Sequence, residues 1–257
     1  MKKIRKLLKE LGKEFDCILT SPKPQPVLFD HLPKCGGTTL NDYLRLHYPR
    51  RRIFKTKGKD PFSSVEQFKS FSKKKRYRYD LVQGHLVHHL INDVKPDCLV
   101  VTILRSPVER IISHYYYAKS SPDHYLYNEI LAHNISLDDY ATSEISVETQ
   151  NWYVKHFSGL SSSEVNLNPD VSLDKAISFL STHYDIIGLL DEFDDFTKTL
   201  QQKANYKNDY SGSKFRVSLD RPLTNDIPLS IRKRIEDANQ LDIALYNHVK
   251  HQAAIGN

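Results

Sequence analysis

The sequence predicts an α/β fold in which a central parallel sheet is flanked by helices and the C-terminal half is mostly helical. Three observations predict it. The runs Val27-Leu28-Phe29 and Cys98-Leu99-Val100-Val101-Thr102-Ile103-Leu104 are apolar and rich in β-branched residues, as strands buried on both faces are. Each run leads through a turn into an amphipathic segment of helical period, residues 40–48 after the first and Pro107 towards Lys119 after the second. Strands that alternate with helices in this way pair in parallel, with the helices packed on the sheet faces.

Taken in order, the chain begins with Ile4, Leu7, Leu8, Leu11 and Phe15 on one helical face and lysines opposite. An amphipathic helix over residues 1–20 is expected, packed on the domain, with peripheral contact to an anionic membrane as the lesser alternative. Ser21-Pro22-Lys23-Pro24-Gln25-Pro26 breaks regular structure before the first strand. Residues 79–85 read as a strand ending in Gly84-His85. Ser106-Pro107-Val108-Glu109 reads as a helix start, with serine at the N-cap, proline at the first position and glutamate closing a capping box. Further helices are expected over 148–157, stopping near Gly159, and over 173–181 and 192–204, with a strand over 185–190. Pro228 opens one long final helix whose stripe is Ile231, Ile235, Ala238, Leu241, Leu245 and Val249. Residues 161–163 and 207–214 read as loops. There is no internal repeat and no low-complexity linker, so residues 1–257 are expected to form a single domain.

The bulk numbers narrow the partners. The 257 residues carry 37 Lys and Arg against 31 Asp and Glu, a formal charge of +6 that favours anionic ligands. Cys17, Cys35 and Cys98 make no paired framework and no C-x-x-C spacing, so they read as reduced thiols. No stretch reaches the roughly 20 apolar residues of a membrane span. These features together predict a soluble, cytoplasmic protein. Two basic clusters, Arg50-Arg51-Arg52 and Lys73-Lys74-Lys75-Arg76, come without a helix-turn-helix, zinc-finger or RNA-binding signature. No nucleic-acid partner is expected, and the clusters are kept as a landing surface for an acidic acceptor.

The chemistry centres on Pro33-Lys34-Cys35-Gly36-Gly37-Thr38-Thr39. A strand, a glycine-containing loop and a helix present backbone N–H groups and a helix N-terminus to a phosphate. The lysine precedes the glycines, unlike the G-x-x-x-x-G-K-[ST] loop of nucleoside triphosphate binders. Arg105 ends the second long strand, and Ser113 lies about two turns into the helix that follows. Ligands of parallel α/β sheets gather at the carboxyl ends of the strands. The two segments therefore define two anion sites on one edge.

His31-Leu32-Pro33-Lys34-Cys35-Gly36-Gly37-Thr38-Thr39 resembles the 5′-phosphosulfate loop of sulfotransferases, and Leu104-Arg105-Ser106-Pro107-Val108-Glu109-Arg110-Ile111-Ile112-Ser113 resembles their 3′-phosphate segment. Among them the chain is most similar to carbohydrate enzymes of the heparan sulfate 2-O and 6-O type, which share a P-K-x-G-[GS]-[ST] loop, a later G-H and an L-R-x-P-x-x-R segment. Softer matches are Gln150-Asn151 with Gly159, Ile187-Gly188-Leu189, and the Asp242 and Leu245-Tyr246 region.

The resemblance implies a P-loop-like sulfotransferase fold. Residues 27–120 would bind the donor, 3′-phosphoadenosine 5′-phosphosulfate (PAPS), and residues 121–257 would serve the acceptor side and packing. Lys34 would contact the bridging oxygen and 5′-phosphate. Cys35, Gly36, Gly37, Thr38 and Thr39 would form the cradle, with Cys35 a small filler there and not a nucleophile. Arg105 and Ser113 would read the 3′-phosphate, which remains on the product 3′-phosphoadenosine 5′-phosphate (PAP). His85 matches the catalytic histidine, while His88 and His89 compete for its role. A hydroxyl acceptor on a saccharide is implied, and no metal. Glu109 reads as a cap, His31 as the end of a strand, and Trp152 and Tyr153 as core. Two other classes stay open: a small-molecule kinase with an atypical phosphate loop, and a non-enzymatic polyanion or nucleic-acid module.

Overall fold

Five short strands form one sheet in which every pairing is parallel: β1 (Val27–Asp30), β2 (Ile53–Lys55), β3 (Leu81–Gly84), β4 (Leu99–Leu104) and β5 (Ile186–Leu189). The order across the sheet is β2-β3-β1-β4-β5. The structure, a computed structural model, describes residues 23–210, 212 and 221–255. The expected helix over residues 1–20, Cys17 and part of the 207–214 loop lie outside the described residues. Val27 pairs with Leu81 on one side and Leu99 on the other, so β1 is central and the carboxyl ends of β1, β3 and β4 lie side by side. The α/β reading of the sequence is the observed fold.

Helices supply the crossovers. α1 (Gly37–Arg45) follows β1, α2 (Pro61–Ser70) and the short α3 (Lys73–Arg76) join β2 to β3, and α4 (Pro107–Ser120) follows β4. After it come α5 (Tyr127–Ala132), α6 (Leu137–Thr142), α7 (Trp152–Ser158), α8 (Ser162–Leu167) and α9 (Pro169–His183), which leads into β5. The remainder is α10 (Phe193–Lys203), α11 (Leu229–Ala238) and α12 (Gln240–Ile255). Among the described residues no helix is long and apolar enough to cross a membrane.

Several boundaries differ from the sequence reading, each for a local reason. The expected 148–157 helix starts only at Trp152. Thr149 Oγ1 donates to the Ser143 and Ser146 carbonyls at 2.9 and 2.7 Å, and Asn151 takes a left-handed φ of 44°. Gly159, at φ 69°, ends that helix as expected. Residues 161–163 are not a loop: Ser161 and Glu164 form a capping box that starts α8. β2 escapes a periodicity argument because it has three residues and only Phe54 is buried. The single final helix is two. Asn239 breaks it at φ −128° while its side chain donates to the Ile235 carbonyl at 2.9 Å. Ile235 packs into a cluster with Ile111, Ile112, Tyr115 and Tyr140, whereas Leu245 and Val249 belong to the sheet core. One straight helix does not serve both cores.

The break also makes a reciprocal cap between α7 and α12. The Asp242 carboxylate accepts from the N–H groups of Tyr153 and Val154, both at 3.0 Å. In return Asn151 Oδ1 accepts from the N–H groups of Leu241 and Asp242, at 3.1 and 3.3 Å. Asn239 Oδ1 accepts from the Asn151 N–H at 3.1 Å. Each helix thus satisfies donors that the other leaves open. Fully buried Arg110 stands 4.0 Å from Asp242 and donates to the Glu148 carbonyl at 2.8 Å. Asp242→Ala leaves two amides and a guanidinium uncompensated in the interior. We expect it to lower the unfolding free energy by about 3–5 kcal/mol in urea titrations, and a loss below about 1 kcal/mol contradicts this role.

Candidate active site

Two loops at the carboxyl edge of the sheet carry non-glycine residues in the left-handed region: Lys34 at φ 63° after β1 and Leu86 at φ 62° after β3. Such conformations cost energy and persist where the surroundings demand them, often at functional positions. Around Lys34 the chain turns from β1 through Gly36, itself at φ 76°, into α1. Gly36 is the N-cap, has no side chain with which to cap, and the first turn of α1 holds no acidic residue. The amides of Gly37 and Thr38 open the helix with no carbonyl one turn back. Thr38 is exposed and Thr39 buried. Open amides at a helix start without an acidic cap are the arrangement that can cradle an anion.

The glycine pair has a second, steric reason. A Cβ on Gly37 would lie 1.9 Å from the His31 ring, so this position cannot hold alanine while His31 stays in place. His31 stacks on His85 with centroids 4.5 Å apart, and its Nδ1 is 3.0 Å from Asn41 Nδ2. Burial, His85 and nearby cations including Lys55 hold the His31 ring down to a pKa of about 3, which keeps it neutral. Gly84, at φ 131°, is constrained likewise: a Cβ there would meet Thr56 Oγ1 at 2.1 Å. That hydroxyl donates to the His85 carbonyl at 3.1 Å. His85 is therefore fixed from three sides.

His85 Nδ1 lies 2.6 Å from the His31 carbonyl oxygen. A carbonyl only accepts, so Nδ1 carries the proton and Nε2 of the neutral ring is the acceptor. The competing histidines are placed differently. His88 is nearly buried with Nδ1 3.7 Å from Asp30 Oδ1, and His89 is exposed with its ring against His88. Of the three, His85 has the backbone-held proton that leaves a base.

The second candidate anion site lies at the end of β4. Arg105 Nη1 donates to the Lys34 carbonyl at 3.3 Å, tying the strand end to the cradle loop. The expected capping box is absent: Ser106 is the N-cap and Pro107 the first residue, but Ser106 makes no side-chain cap. Glu109 instead turns back to Arg105, its Oε2 accepting from Nε at 3.1 Å and Nη2 at 2.9 Å. An arginine one turn away outcompetes a neutral backbone amide for the carboxylate. Ser113 is buried on α4, about 9 Å along the axis from Pro107 at helical rise. Tyr117, one turn beyond Ser113, places its ring 3.8 Å from Lys34 Nζ.

Arg221 was not legible in the sequence, since no local pattern singles it out between Asp220 and Pro222. It stands close enough to Lys34 and Arg105 to act on both electrostatically. Burial, Arg105 and Arg221 together bring the Lys34 ammonium down to a pKa of about 8. Burial and Arg105 lower Arg221 as well, and its Nη1 is buried without a hydrogen-bond partner. Three cations thus stand together on this edge, where the Glu109 carboxylate pairs with Arg105.

Tyr153 joins the strand end at Arg105 to the loop at Cys35. Its buried hydroxyl donates to the Arg105 carbonyl at 2.9 Å, accepts from the Arg105 N–H at 3.1 Å and lies 3.1 Å from Cys35 Sγ. Burial pushes the Cys35 thiol up, as it does the Tyr153 phenol, so both stay protonated. Cys35 is thus a small buried side chain within the loop. Trp152 packs over Arg110, 5.1 Å from its guanidinium, and is likewise core.

The basic clusters sit elsewhere than expected. Arg50–Arg52 precede β2, and α3, which carries Lys73–Arg76, precedes β3. In a parallel sheet both therefore lie at the amino edge, opposite the cradle. Arg52 and Lys95 pair there with Asp80. Lys55 and Lys57, at and just beyond the carboxyl end of β2, add to the cations of the cradle side.

Against known proteins, the model of the Sulfotransferase family matches residues 18–248. Among solved structures, the mouse sulfotransferase SULT7A1 complexed with PAP is 17% identical, with 84% of this chain and 83% of that one covered and a TM-score of 0.40. A sulfotransferase from Alicyclobacillus acidocaldarius is 13% identical, with 88% and 96% covered and a TM-score of 0.43. No curated protein matches the chain significantly.

Gly37→Ala drives a methyl group into the His31 ring and must displace either the cradle or the His31–His85 stack. We expect a loss of about 1–3 kcal/mol in unfolding free energy, typical of overpacking. Gly58→Ala is the control, because a Cβ there meets nothing within 4 Å. Equal stability of the two variants contradicts the steric account.

Proposed function

The chain belongs to the sulfotransferase family, and on that premise we propose that it moves a sulfuryl group from PAPS to a hydroxyl of a saccharide, with His85 as the base. The observation that carries this reading is the convergence of Lys34, Arg105 and Arg221 beside an uncapped helix N-terminus. A bisphosphorylated donor with a phosphosulfate at one end supplies two separated anions for such a grip. The residues fit it. The amides of Gly37 and Thr38 and the hydroxyls of Thr38 and Thr39 take the 5′-phosphate. Arg105, braced by Glu109, faces the 3′-phosphate together with Ser113, and Arg221 adds charge at that end.

In the reacting complex His85 Nε2 accepts the proton of the acceptor hydroxyl as its oxygen bonds to sulfur. The S–O bond to the 5′-phosphate breaks, and PAP leaves with the electron pair. Lys34 moves from the Tyr117 ring to the bridging oxygen, where negative charge grows as that bond breaks. Nothing in this step calls for a metal. Lys55 and Lys57, on the same edge as His85, favour an acidic saccharide over a neutral one. The distant Arg50–Arg52 and Lys73–Arg76 clusters do not enter this reading. We keep cytoplasmic residence as part of the proposal.

His85→Ala should lower turnover by about 10²–10⁴-fold, the range for a general base, while PAP affinity by calorimetry changes less than about threefold. Retained turnover overturns the assignment. The charge on Lys34 gives a second test. Its pKa is near 8 in the free protein and a bound phosphate favours the charged form, so PAP binding takes up protons around pH 8. Affinity is then highest below that pH and falls as pH rises through it. Lys34→Arg removes the dependence, and a flat profile in the unmodified protein contradicts the assignment.

A further inference from the structure

A second cluster of ligating side chains lies beside the catalytic edge and takes no part in the chemistry above. Asp30 is the last residue of β1 and is fully buried. Its Oδ2 is 2.8 Å from His156 Nε2 on α7 and accepts from the Tyr184 hydroxyl at 2.8 Å. The other carboxylate oxygen, Oδ1, faces His88 Nδ1 at 3.7 Å, and both of these buried atoms are without a hydrogen-bond partner. Buried polar atoms are rarely orphaned, and two that face each other ask for something between them.

We propose that Asp30, His88 and His156 form a divalent-cation site of the zinc type. Their ligand atoms all lie within 4.8 Å of one another. Zinc holds nitrogen and oxygen ligands at about 2.0–2.2 Å, which separates tetrahedral donors by about 3.3–3.5 Å. The gap of 3.7 Å between Asp30 and His88 is close to that separation and too long for a hydrogen bond. A slight opening of the 2.8 Å contact between Asp30 and His156 brings the third donor to the same range. On loading, the proton shared between His156 Nε2 and the carboxylate leaves to solvent. Tyr184 then holds the carboxylate from outside, the arrangement that fixes ligands in metal sites. His88 borders exposed His89, which marks the way in.

The three ligands come from β1, from the turn after β3 and from α7, so a bound ion would pin together the elements that carry His31, His85 and Tyr153. The site is independent of the sulfuryl-transfer reading and its test does not use activity. Tag-free full-length protein, stripped with chelator, is titrated with Co²⁺ and followed by visible absorption. We expect one equivalent with the intense bands of tetrahedral cobalt, displacement of those bands by Zn²⁺, and a higher melting temperature with Zn²⁺. His88→Gln and His156→Ala should abolish the bands, Tyr184→Phe should weaken binding by roughly 10–100-fold, and His133→Ala should leave it unchanged. Should His156→Ala fail to fold, His88→Gln and Tyr184→Phe still decide. Absence of saturable binding in the unmodified protein, or unchanged binding in His88→Gln, overturns the proposal.

Discussion

The hydroxyl of Tyr153 is the contact on which the site's arrangement depends. It brackets both backbone groups of Arg105 and meets Cys35, so the strand end and the cradle loop share one buried anchor. The anchor is itself held from the far end of the chain, because Asp242 on α12 accepts from the Tyr153 amide. A path of hydrogen bonds therefore runs from the last helix through α7 to Arg105 and the Cys35 loop. The C-terminal helices, remote in sequence from the cradle, set the separation of its two ends.

Around that frame the electrostatics are deliberately unbalanced. Lys34, Arg105 and Arg221 repel one another, and the Glu109 carboxylate offsets part of this while orienting Arg105. Burial makes the imbalance costly, as the lowered Lys34 pKa records. An anionic ligand removes that cost on binding, so part of its affinity comes from relief of strain already present. His85, the proposed base, follows another logic. Backbone constraints at Gly84 and Leu86 and the stack on neutral His31 hold its ring in place, and the His31 carbonyl beside Nδ1 sets its tautomer.

Much of this was legible in the sequence because it is local. The buried runs of β1 and β4, the lysine-glycine-threonine loop and the arginine at a strand end all declare themselves within a few residues. What escaped is what depends on distant partners. Glu109 read as a cap, but Arg105 beside it binds a carboxylate more strongly than a backbone amide does. Asn151, Asn239 and Asp242 cap one another across some ninety positions, so the helix break at Asn239 has no local sign. Arg50–Arg52 and Lys73–Arg76 read as an acceptor surface because charge is visible in sequence and sheet direction is not. Arg221 carried no pattern at all.

The proposed reaction rests on a two-ended grip on a bisphosphorylated nucleotide. Isothermal titration of the full-length protein with PAP and with ATP, in parallel with Arg105→Ala, tests it most directly. We expect one PAP site, ATP at least about tenfold weaker (about 1.4 kcal/mol), and a loss of about 1.5–3 kcal/mol of PAP affinity in Arg105→Ala, as for a charge-assisted hydrogen-bonded contact. ATP bound as tightly as PAP, or PAP affinity unmoved by Arg105→Ala, would contradict it.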